Sequence, residues 1–153
     1  MRTLVVVSVF LAGCGLTGPP EFDLALQQIR GGGGDVEFRT CVEAAGPPAI
    51  AACERVIARP EPATTTSILR TAAVSALEVR GQAAIAIARH LVTAGRQADA
   101  LSALERSMAF YKKAIDLVPT DGPQAQWRAK LTTTLERIRA VYDKARHGGP
   151  ITL

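Results

Sequence analysis

From Asp35 onward the apolar residues return at alternating spacings of three and four. That is the rhythm of a helix face, and no stretch of useful length alternates as a strand does. The pattern divides into five segments. Asp35 can cap a short helix that runs to about Ala45 and ends at Gly46. Pro47 and Pro48 suit the first turn of a second helix, which holds AIAACERVIA and stops before Pro60. Thr64 to Ser67 offer caps for a third helix that persists to about Ala94, where Gly95 closes it. A fourth runs from about Gln97 to Val118 and stops at Pro119. Asp121 then caps a fifth, which continues to about Ala145 and leaves residues 147–153 as a loose tail.

The third and fourth segments carry the strongest pairing signal. One shows Val74, Leu77, Gly81, Ala84, Ala88 and Leu91, and the other Leu101, Leu104, Met108, Tyr111, Ile115 and Val118. Such seams belong to two antiparallel helices crossing at a shallow angle. Gly81, Ala84 and Ala88 predict a close approach there. Residues 83–88 (AAIAIA) are apolar all round, so the third helix is expected to be covered on more than one side. The fifth helix places Trp127, Leu131, Leu135, Ile138 and Tyr142 on one face, which would close the stack against solvent. The expectation is an all-α fold of about five helices, with residues 35–146 as one domain. A four- or five-helix bundle without repeats would share the same periodicity.

Ahead of that domain the pattern changes twice. Leu4 to Leu11 form an apolar run too short to cross a bilayer as a helix, which takes about 20 residues, but suited to a signal-peptide core. It leads into Leu11-Ala12-Gly13-Cys14. That tetrapeptide resembles the lipobox of bacterial lipoproteins, in which the cysteine thiol receives a diacylglyceryl group and the leader is cut before it. The resemblance implies residues 1–13 as a signal peptide and Cys14 as a lipidated anchor. Several acyl chains hold durably because each buried CH2 contributes about 0.8 kcal/mol. With Gly15 rather than Asp after the cysteine, the resemblance also implies sorting to the outer membrane, facing the periplasm. Residues 14–34 then read as the lipidated cysteine and a Gly/Pro-rich tether. One weak helical face (Phe22, Ala25, Leu26, Ile29) precedes the break at Gly31 to Gly34.

Residues 37–119 resemble tetratricopeptide repeats, helix-turn-helix units of about 34 residues. The likeness rests on Cys41 with the AIAACERVIARP helix, Arg80-Gly81, the turn Gly95-Arg96-Gln97-Ala98-Asp99-Ala100-Leu101, and Tyr111-Lys112-Lys113-Ala114-Ile115-Asp116-Leu117-Val118-Pro119. The spacing departs from the family. Gly81 and Gly95 stand fourteen apart instead of about seven, and Gly95 to Pro119 is twenty-four instead of about seventeen. Each arm has therefore gained about two helical turns. Seven residues nearly preserve facing, since a straight helix drifts only about 20° per heptad. The expected result is tetratricopeptide-like hairpins with one elongated central hairpin and a capping C-terminal helix. Function follows as an expectation: a scaffold offering a concave helical surface to an envelope protein or peptide, with a grooveless structural spacer as the alternative.

The rest of the composition narrows this only a little. The net charge of +4 lacks the dense basic patches of nucleic-acid binders. Cys41 and Cys53 lie about six residues either side of the Gly46-Pro47 turn, where an antiparallel hairpin would face them. In an oxidising compartment they would bridge, and otherwise they are two separately buried thiols. With only His90 and His147 as histidines, no metal-ligand set, nucleophilic triad or cofactor site is assignable, and no small-molecule substrate is evident. The chain reads as a non-enzyme. On the fifth helix Lys130, Arg137 and Lys144 recur every seventh residue, a possible face for an anionic partner beside the blander reading of a solvated helix.

Overall fold

A computed structural model describes residues 35–153. Among them the chain forms five α-helices and no strand: α1 (Val36–Glu43), α2 (Pro47–Ile57), α3 (Ser67–Thr93), α4 (Gln97–Leu117) and α5 (Ala125–Arg146). The all-α hairpin fold is as the periodicity predicts.

Local chemistry accounts for most of the boundaries. The Asp35 carboxylate accepts hydrogen bonds from the backbone N–H of Glu37 (2.9 Å) and Phe38 (3.4 Å), satisfying donors that α1 cannot. Proline opens α2, where a missing N–H costs nothing. The Thr66 hydroxyl accepts from Leu69 N–H at 3.2 Å and starts α3. At the far end Gly95 takes φ 74°, which a side chain would resist. The turn lets Gly95 N–H donate to the Val92 carbonyl (3.0 Å) and Arg96 N–H to that of Leu91 (2.8 Å), satisfying the last turn of α3.

The fifth helix starts later than the sequence suggests. Gln124, not Asp121, is its first flanking residue, and no side chain caps it. Arg128, one turn in, is committed elsewhere: its guanidinium donates to the carbonyls of Ile115 and Val118 (2.6 Å to the latter), closing the C-terminus of α4. The tail also differs from expectation. After the turn at Gly148, Ile151 is only 8% exposed and belongs to the core, so residues 147–153 are fastened rather than loose. An apolar residue placed just beyond a reversing turn can fold back onto the helix that precedes it, and Gln97 adds a 3.4 Å bond to the Gly149 carbonyl.

The central hairpin organises the core. Gly81 of α3 lies so close to Tyr111 of α4 that a Cβ there would stand 2.5 Å from the ring edge. Beside it the Ser107 hydroxyl donates to the Gly81 carbonyl at 2.9 Å. The buried seam of α4 is Ala100, Ala103, Leu104, Ser107, Tyr111 and Ala114. Met108, expected in that seam, instead turns toward Leu135 and Tyr142 of α5. On α3 thirteen residues are buried, spread around the helix, because α1, α2 and α4 all pack on it. That answers to its near-uniform alanine character. Arg106 of α4 makes a paired contact with Glu54 of α2 (both 2.8 Å), joining the second arms of the two hairpins.

Candidate functional site

The central α3/α4 hairpin carries α1 and α2 against α3 and α5 against α4. Two pockets meet on α3. The first, of about 290 Å3, lies between α1 and α3 and is lined by Phe38, Val42, Gln82, Ile85, Ala86, Arg89 and His90. The second, of about 400 Å3, lies between α3 and α5 and is lined by Ile85, Arg89, Thr134, Arg137, Ile138, Val141, Thr152 and Leu153. Ile85 and Arg89 line both, so the two pockets adjoin along this strip of α3.

The stripe that α3 gives to these pockets follows helical spacing. Gln82, Ile85, Ala86 and Arg89 recur at three and four, while Ala83, Ala84, Ile87 and Ala88 turn inward and are buried. The pocket floor is therefore apolar and its rim basic. Among the described residues no acidic side chain lines either pocket, and neither Arg89 nor Arg137 has a salt-bridge partner. An arginine held over an apolar surface with no local counter-charge suits a carboxylate or another anionic group on whatever lies there.

The wall formed by α1 is fixed from behind. Cys41 and Cys53 lie at disulfide distance, with Sγ–Sγ 2.12 Å and Cα–Cα 4.7 Å, and both are fully buried. His90 Nε2–H donates to the Cys41 carbonyl at 3.1 Å, tying α3 to α1 at the pocket edge. At the other end of α1, Asp35 and Glu37 both meet Arg59, and Glu37 also meets Arg55 at 2.8 Å. Hydrogen bonding to Arg59 holds both carboxyls below their ordinary range, in the case of Glu37 with help from Arg55. His90 thus serves the scaffold, and its pocket brings no carboxylate beside it.

The basic stripe on α5 does not act as one face. Lys130 is taken up by Glu78 of α3 at 3.1 Å, and the same carboxylate accepts from Trp127 Nε1–H at 2.9 Å. Arg137 reaches the groove, and Lys144 lies on the surface against Gly149. Sequence reasoning missed Arg89, which lines the second pocket together with Arg137. The signal was available: in the alanine-rich stretch of α3, Gln82, Ile85 and Arg89 are long side chains at one helical spacing. Cys14 and the leader and tether lie outside the described residues.

The fold and the adjoining pockets define an all-α helical-hairpin protein. No protein-family model, curated protein or solved structure matches the chain. Among the described residues no helix is long and apolar enough to cross a membrane, and no three potential metal ligands converge.

Proposed function

We propose that the chain is a lipid-anchored periplasmic scaffold, held at the outer membrane by acyl chains on Cys14, whose α1/α3/α5 groove receives an envelope protein or peptide. One observation carries the binding part: two adjoining apolar pockets with an uncompensated basic rim lie along the first arms of the hairpins. First arms line the ligand surface in the tetratricopeptide proteins that residues 37–119 resemble. A pure spacer has no use for such a groove, since open apolar surface brings association with it. The anchor rests on the Leu11-Ala12-Gly13-Cys14 stretch and its apolar leader.

Two measurements test the proposal. Radioactive palmitate should label the wild-type chain and not Cys14→Ser, and label in neither or in both removes the anchor. For the groove, proteins captured from native envelopes should be compared between wild type, Arg89→Glu with Arg137→Glu, and the outer-face control Lys112→Glu. A partner lost only with the arginine pair supports the scaffold. Identical captures from all three return the chain to the spacer reading.

A further inference from the structure

The second pocket is built between two helices held in register. α3 and α5 both join α4 through reversing turns, so they run in the same direction. Glu78 fixes their register by accepting from Trp127 Nε1–H at 2.9 Å and from Lys130 Nζ at 3.1 Å. Two helical turns further along each stand Ile85 and Arg137, which line the pocket with Arg89, Ile138 and Val141. At the other end Gln97 holds the Gly149 carbonyl and Ile151 enters the core, which keeps Thr152 and Leu153 against the pocket. The walls are thus in place before any ligand arrives, as in most small-molecule sites.

Apolar and charged groups are sorted by depth. Ile138 is 4% exposed, Ile85 and Val141 are half-buried, and both arginines are exposed. Among the described residues neither guanidinium makes an ion pair, with the Leu153 α-carboxylate or with any other group. The Thr134 hydroxyl is taken up by the Lys130 carbonyl at 3.0 Å, which leaves the two guanidinium groups and the Thr152 hydroxyl as side-chain donors. We propose that this pocket binds a single-chain aliphatic carboxylate, its tail among Ile85, Ile138 and Val141 and its head group on Arg89 and Arg137.

Each half of such a ligand answers to one half of the lining. A guanidinium matches a carboxylate with two parallel hydrogen bonds. An inorganic anion would leave the apolar floor wet, and a nucleotide would find no aromatic ring in this lining to stack on. The first pocket shares Arg89 but has no second arginine. Size sets the tail. The volume of about 400 Å3 lies near the lower end for small-molecule sites. At about 30 Å3 each, the share of a water molecule in the liquid, it holds about thirteen non-hydrogen atoms. A straight-chain acid of about ten carbons has about a dozen.

The inference goes beyond the scaffold reading, because the ligand is a small molecule and not a protein, and it stands whether or not Cys14 is acylated. Calorimetric titration with sodium decanoate below its micellar range tests it, on the full chain carrying Cys14→Ser so that no acyl chain or detergent competes. Decanoate should bind one to one and shift the methyl resonances of Ile85, Ile138 and Val141. Decanol, with the same tail and no charge, should bind about tenfold or more weakly, the worth of a charge-assisted contact. Butyrate should bind about 100-fold or more weakly, since each buried methylene is a factor of about four. Arg89→Gln with Arg137→Gln should weaken decanoate about tenfold or more and leave decanol nearly unchanged, with the helical circular dichroism kept. Absence of decanoate binding overturns the proposal. So does binding that spares those methyls, that the glutamine pair does not weaken, or that decanol equals. A partner captured through the arginine pair by a chain that ignores decanoate would overturn this inference alone. Decanoate binding beside identical captures would overturn the scaffold alone.

Discussion

Replacing Gly81 with alanine sets two well-calibrated effects against each other. In the middle of a long helix, alanine is favoured over glycine by about 0.8–1.0 kcal/mol, because it loses less backbone freedom on folding. Here the new methyl would stand 2.5 Å from Tyr111 Cε2, 2.8 Å from Cδ2 and 3.2 Å from Cζ. The first two are well inside van der Waals contact. The ring cannot swing aside at little cost, since Tyr111 is 2% exposed and sits in the seam. Overpacking of this kind typically costs about 1–3 kcal/mol. The clash exceeds the propensity gain, and Gly81→Ala should destabilise by roughly 1 kcal/mol. The decisive measurement is the sign in a second background. With Tyr111→Leu the facing atoms are gone, and the same Gly81→Ala change should stabilise by roughly 1 kcal/mol. The coupling in the cycle is then about 2 kcal/mol, in the range for residues in direct contact. Urea denaturation followed by helical circular dichroism reads all four proteins. If Gly81→Ala has the same effect in both backgrounds, α3 and α4 do not approach as described.

Tyr111 also predicts an alkaline limit. Burial first, and then nearby Glu78, push its phenol up to about 12, so the folded form keeps a proton that the unfolded chain sheds near pH 10. Its stabilising contribution is complete below pH 10 and is lost as pH rises toward 12, to a total of roughly 2–3 kcal/mol. Urea midpoints should therefore fall between pH 9.5 and about 11.5 in wild type. They should fall less in Tyr111→Phe, and parallel declines would contradict the assignment. For the cysteines, Cys41→Ser with Cys53→Ser should lower stability by about 3 kcal/mol in the loop-entropy model, and intact mass should rise by two hydrogen atoms when a thiol reductant reduces the wild type. Equal masses with and without reductant would leave two buried thiols instead.

Much of the fold was legible because its signals are local. Asp35, Pro47, Thr66 and Gly95 act on the backbone within a few residues of themselves, and each terminates or starts a helix where periodicity places it. The misreadings concern residues whose role is decided at a distance. Asp121 has good capping chemistry, but the entry to α5 is set by Arg128 reaching back to the end of α4. Ile151 follows two glycines and a proline, which read as tail, and only the presence of a core beside it makes its burial favourable. Lys130 shares a seven-residue spacing with Arg137, but Glu78 on another helix removes it from the face. Ser107, absent from the apolar pattern, is buried in the seam beside Met108 because the Gly81 carbonyl accepts its hydroxyl proton.

The elongated hairpin resolves a tension in the sequence of α3. A helix that lines a binding surface should carry varied side chains, whereas this one is mostly alanine, as befits a buried helix. Both demands are met because the helix is long and its neighbours are unevenly arranged. It spans 27 residues, about 40 Å, and α4 shields one side along most of that length. α2 lies against its later half, where Arg80 donates to the Arg59 carbonyl and pairs with Glu61, and α1 reaches it at His90. Alanine allows the close packing on the shielded faces. The narrow strip left over holds Gln82, Ile85 and Arg89, so a few residues set what the groove accepts. It follows that substitutions along the buried alanine face should act through stability, as should those at Gln82, which hydrogen-bonds Tyr111, while a change at Arg89 should act through binding. Arg89→Glu is the informative case, because its side chain is exposed, makes no ion pair and borders both pockets. It should leave the urea midpoint within about 0.5 kcal/mol of wild type, as surface changes usually do. A larger loss would mean that Arg89 supports the fold, and the first pocket would then have no basic residue free to recognise an anion.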